Sequence, residues 1–148
     1  MKVRKYLNQI RKLDIMINQR IREKEQLRQM AFATGGMDYS GDRVQTSPDG
    51  TPRQLKLIEK AADMEIEINA MVDKMIDVRH MIIEQIQNLP DHRYVQILFK
   101  RYVEYKSFEQ IAVDMSYTYK WVCDLHGAAL DAFDAAYLKE QEQTGKDL

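Results

Sequence analysis

Apolar residues along the first thirty positions recur at helical spacing. Val3, Leu7, Ile10, Ile17 and Ile21 fall at steps of three, four and seven, with Leu13 and Leu27 beside them. No Gly or Pro interrupts residues 2–33. The pattern predicts one amphipathic helix over that range. Residues 34–53 then turn to Gly35-Gly36, Ser40-Gly41, Ser47-Pro48-Asp49-Gly50 and Thr51-Pro52, which is turn chemistry throughout. A mobile linker is expected there, and Tyr39 and Val44 are its residues able to dock on the helices. From 53 to 89 a second helix is predicted. Its seam runs Leu57, Ala61, Met64, Ile68, Met71, Met75, Val78, Ile82, Gln85, Leu89 in alternating steps of four and three. That is an a/d heptad pattern, and such a seam must be covered. It can pack on the first helix, on a second copy of the chain, or on both.

Leu89-Pro90-Asp91 breaks the seam, because Pro90 cannot continue a helix but suits the first turn of the next. A shorter helix is predicted to about Val103, with Val95, Leu98, Phe99 and Tyr102 on its apolar face. Ser107 and Gln110 form a capping-box pattern that starts another at Phe108. Ser116-Tyr117-Thr118 makes a turn, and the Thr118 hydroxyl can cap the helix after it. Ile111, Ala112, Met115, Tyr117, Val122 and Leu125 have the spacing of a helix-turn-helix, with Ala112 small where the second helix must cross. Ser116 departs from the commoner glycine, which tolerates positive φ.

The expected fold is all-α: a long antiparallel, coiled-coil-like helical hairpin followed by a C-terminal helix-turn-helix domain. The expected divisions are 1–88 for the hairpin with its loop at 34–53, 89–138 for the helix-turn-helix domain, and 139–148 for a polar tail. Leu57, Met64, Ile68, Met71, Met75, Val78 and Ile82 are the candidate self-association residues, and a homodimer is the expected state.

Composition narrows the function. The chain has 148 residues, one domain's worth, with 22 Lys+Arg against 23 Asp+Glu. A uniformly basic nucleic-acid coat is excluded. Charge is uneven, however: residues 1–30 carry nine basic and three acidic groups, and residues 56–90 four and seven. Most such charges solvate helix faces. With one cysteine, Cys123, no internal disulfide can form, and a reducing cytoplasm is the expected compartment. No apolar run reaches membrane-spanning length, so no membrane partner is expected. His80, His92 and His126 lack metal-site spacing, and Cys123 with His126 makes half a site at most. His126 is expected to be a hydrogen-bonded core histidine, and Trp121 a partly buried hinge. There is no phosphate-cradling glycine loop and no nucleophile elbow, so neither an enzyme nor a cofactor is expected.

In a helix-turn-helix the second helix enters the major groove. Here that helix lies near 119–130, and its outward candidates are Thr118, Tyr119, Lys120, Cys123, Asp124 and Gly127. Lys120 can reach a phosphate or a guanine edge, Thr118 and Tyr119 a phosphate, and Asp124 the amino group of cytosine. Arg93, Lys100, Arg101 and Lys106 are candidate supporting cations.

The stretch from Leu89 to Leu130 resembles region 4 of bacterial sigma factors. Leu89-Pro90, Arg93, Val95, Leu98 and Arg101-Tyr102 look like the helix before the sigma helix-turn-helix. Phe108-Glu109-Gln110-Ile111-Ala112 looks like its first helix, and Val122 with Ala128-Ala129-Leu130 like its recognition helix. The whole chain is similar to small phage and prophage proteins grouped with the ArpU- and RinA-type late transcription regulators of Gram-positive bacteria. The similarity lies in Tyr6-Leu7-Asn8-Gln9-Ile10-Arg11-Lys12-Leu13-Asp14, Val44-Gln45-Thr46-Ser47 and Leu125-His126-Gly127-Ala128-Ala129-Leu130. The resemblance implies a regulator that binds promoter double-stranded DNA, contacts host RNA polymerase, or does both. Sigma recognition helices usually carry several outward Arg or Lys, whereas Asp124 and Gly127 stand at two such places here. Two alternatives remain: a DNA-packaging component of the small-terminase kind, and a protein-binding adaptor that does not touch DNA.

Overall fold

The computed structural model describes residues 2–33 and 52–139. The linker expected over 34–53 and the tail over 139–148 fall almost wholly outside these residues, as do Tyr39 and Val44. Every regular element described is helical. They are α1 (Lys2–Leu7), α2 (Gln9–Ala33), α3 (Arg53–Gln87), α4 (His92–Leu98), α5 (Phe108–Met115) and α6 (Tyr119–Phe133). Wider π-turns extend α4 through Phe99–Val103 and α6 through Asp134–Leu138. The predicted first helix is thus nearly continuous, with a break at Asn8 between α1 and α2. The last helix runs further than the sequence pattern placed it.

The chain divides into two compact units, Met1–Leu13 with Met75–Leu148, and Asp14–Lys74. This is not the division expected at 88/89. The physical reason is the core of the first unit. Val3, Leu7 and Ile10 from the start of the chain and Ile82 and Ile86 from α3 share one buried cluster with Ile97, Leu98, Ile111, Val122, Leu130 and Phe133. All of these are at most 2 % exposed. Each such side chain contributes about 1.5–3 kcal/mol when removed from water. Tyr6, half-buried beside them, donates a 2.7 Å hydrogen bond to Gln85 Oε1. That bond gives a partner to the one polar position of the α3 seam.

The other unit is thinner. Its buried residues, among those described, are Ile17 and Ala31 of α2 and Ala61, Met64 and Ile68 of α3. Arg20 and Glu67 face each other at 4.0 Å across the two helices. Part of each apolar stripe is therefore covered, while Ile21 of α2 stays exposed. The seven seam residues expected to serve self-association are thus covered to different degrees within one chain. Met64, Ile68 and Ile82 are buried within a single chain, and Leu57, Met71, Met75 and Val78 are half-buried.

Candidate nucleic-acid interface

Ser107 caps α5 in full: its hydroxyl accepts from the Gln110 amide at 3.2 Å, and its own amide donates to Gln110 Oε1 at 3.0 Å. Ile111 is fully buried beneath α5. The helix stops at Ser116, whose backbone is left-handed at φ 57° and ψ 41°. A non-glycine residue there carries steric strain. The Tyr117 amide then donates back to the Ala112 carbonyl at 2.9 Å, closing the turn. Thr118 caps α6 by accepting from the Trp121 amide at 3.2 Å. Val122, Leu125, Ala129 and Leu130 of α6 all face inward.

Behind α6 sits His126, 3 % exposed. Its Nε2 and the Tyr102 hydroxyl share a 2.8 Å hydrogen bond, and Phe108 packs edge-on at 4.8 Å between centroids. Burial, and then the nearby Arg4 and Arg101 charges, push its pKa down to about 4. The ring is a neutral core group, in line with the sequence expectation. Burial also raises the Tyr102 phenol, opposed by Arg4 and Arg101. Among the described residues no buried side-chain polar atom lacks a partner, and no group of three His, Cys, Asp or Glu could hold a metal.

The outer side differs. Thr118, Tyr119, Lys120 and Asp124 are exposed, and Cys123 and Gly127 are half-buried. Lys120 and Asp124 stand one turn apart and form no ion pair among the described residues. The neighbouring Cys123 side chain raises the Tyr119 phenol above its ordinary range. Trp121 is 47 % exposed and so partly buried. It meets Tyr117 edge-on at 6.3 Å. Gly127 lies inside the helix, yet a Cβ added there would meet nothing within 4 Å. Packing within the chain therefore does not require glycine, which costs about 1 kcal/mol relative to Ala in a helix.

All four supporting cations are engaged, three of them against α5. Arg93 binds Asp91, the cap of α4, at 3.0 Å. Lys106 meets Asp114 at 2.6 Å, and Lys100 approaches the same carboxylate at 3.8 Å. That arrangement raises the Lys106 pKa and lowers that of Asp114. Arg101 donates to the Lys106 carbonyl at 2.9 Å and lies 4.5 Å over the Phe108 ring. Three features were not singled out in the sequence. Arg11 lies over the Tyr105 ring at 5.7 Å, Tyr105 itself has φ 60°, and Val113 on α5 is 80 % exposed. The first depends on distant segments meeting, and the second belongs to the turn that ends the extended α4. Val113 was detectable, as an apolar residue outside the Ile111–Met115 stripe.

Compared with known family models, with curated proteins and with solved structures, the chain matches none. No helix among the described residues is long and apolar enough to cross a membrane.

Proposed function

We propose that α5 and α6 form a helix-turn-helix that binds double-stranded DNA, and that the protein is a phage-type transcription regulator. The observation that carries this reading is the pairing of a fully capped turn at Ser116–Thr118 with a half-buried Gly127 whose missing Cβ would have open space before it. Such a turn holds the second helix at a fixed angle, with its first residues free to meet base edges. The glycine leaves room for a close approach that nothing inside the chain exploits. Lys120 is the principal phosphate or guanine contact. Because Arg93, Lys100 and Lys106 are held by carboxylates, few phosphates are neutralised, and the log–log salt slope is about −1 to −2.

The test is fluorescence anisotropy of the full chain with duplex DNA from its own gene neighbourhood, at two salt concentrations. Lys120→Ala should weaken binding. Gly127→Ala should fold at least as stably as the parent and still bind less well, which separates interface from fold. Absence of saturable binding at low salt overturns the proposal.

The exposed Val113 and the paired cations favour a second reading, an adaptor that docks on host RNA polymerase. Binding of purified polymerase, lost in Val113→Glu while DNA binding is absent, would select it.

A further inference from the structure

The charged side chains around the turn fall into two groups. On α4 and α5 they satisfy one another: Arg93 binds Asp91, and Lys100 and Lys106 share Asp114. On α6 they do not. Lys120 and Asp124 are both exposed, and neither has an ion-pair or hydrogen-bond partner among the described residues. They stand one turn apart, with Cβ atoms about 6 Å from each other. The amine precedes the carboxylate, which is the weaker order for a pair on one helix, so both heads stay available. Steps of four and then three place Gly127 on the same stripe, with open space where its Cβ would be. An unused donor, an unused acceptor and a residue without a side chain thus share one side of the helix.

The base pairs differ in the order of groups along their major-groove edges. A G·C pair shows the guanine N7 and O6 acceptors and then the cytosine amino donor. Lys120 suits the first two and Asp124 the third. An A·T pair puts the thymine O4 acceptor where the cytosine donor stands, and that oxygen repels a carboxylate. Phosphates repel it too, so Asp124 is held over base edges, and the Lys120 charge beside it offsets its own. Resting on the DNA-binding reading above, we infer that Lys120 and Asp124 together read one G·C pair, Lys120 the guanine and Asp124 the cytosine amino group. Gly127 lets the helix come close enough for the short aspartate to reach.

The probe is a random-sequence duplex pool, selected at low salt on the full chain and on its Asp124→Asn variant. The parent should recover sites that share one fixed G·C pair. Asp124→Asn should move the preference at that cytosine towards adenine, because an amide side chain pairs bidentately with adenine. The recovered site is then remade with single base analogues and tested on the parent. 7-Deazaguanine, which lacks N7, and N4-methylcytosine, which blocks the free amino hydrogen, should each weaken binding about tenfold. Inosine, which keeps the guanine major-groove edge, should leave it unchanged. Sites without a fixed G·C pair, equal binding of the analogue duplexes, or a preference that Asp124→Asn does not move overturn this inference and leave DNA binding standing. Retention of no duplex at all overturns both, and points to a protein partner.

Discussion

The two compact units use apolar residues in opposite ways. Among the described residues of Asp14–Lys74 the pattern is regular and the burial is thin: five are buried, two of them alanines, while Ile21, Phe32, Leu55, Ile58 and Ile66 stay exposed. In the other unit the pattern is broken by Pro90, Ser116 and two π-turns, yet the buried cluster is large and draws on five helices and the end of α3. Regular spacing therefore measures how straight an element is. It does not measure how much stability its burial supplies. Two helices meeting along one stripe cover one side of each residue, whereas a residue at the centre of several helices is enclosed on all sides.

The sharpest test of this contrast is a pair of truncations. Phe133→Ala, at 0 % exposure, should cost about 3–5 kcal/mol in denaturant unfolding. Ile68→Ala, 6 % exposed in the thin seam, should fall near the lower limit of about 2 kcal/mol. Equal costs would break the comparison.

Next in size is a pH effect confined to the larger core. His126 has a folded pKa of about 4 against an ordinary value of 6.5. Between those values the unfolded chain binds the extra proton, so stability is present above about pH 6.5 and is lost as pH falls toward 4. The loss is about 3 kcal/mol, and unfolding curves at pH 7 and pH 4.5 should show most of it. His126→Gln should flatten that slope. An unchanged slope would mean that the histidine does not titrate with unfolding.

Smaller still is the turn. Ser116→Gly should stabilise by about 0.5–1 kcal/mol, because glycine accepts φ 57° without strain. A destabilised variant would show that the hydroxyl or the restricted unfolded chain matters more. The smallest effect is expected at Ile66, 71 % exposed on α3. Ile66→Ser should change stability by no more than about 0.5 kcal/mol. A larger loss, dependent on protein concentration, would reveal a second copy on that face.

Much of the candidate interface was readable from local chemistry. Ser107 with Gln110, Ser116 at a positive-φ position and Thr118 before α6 are short-range devices, and each is formed by groups within a few residues of one another. The inward face of α6 follows in the same way from 3.6-residue spacing. The state of the cations was not readable. Lys106 lies eight residues from Asp114, and Lys100 fourteen; only the packing of the extended α4 against α5 brings both amines to one carboxylate. The exposure of Trp121 was hidden for a similar reason, since an aromatic residue suits a hinge or a surface equally until its neighbours are placed.

Helical class, the capped turn and the inward stripe therefore follow from residue type and periodicity alone, because they depend on interactions a turn or two apart. The extent of the core, the use of the α3 seam within the chain and the pairing of Arg93, Lys100 and Lys106 depend on folding geometry. Val3 reaches the same core as Phe133 across most of the chain, and no local pattern encodes that meeting. It arises because each helix has one stripe to hide, and enclosure among several helices removes more apolar surface from water than any single pairing does.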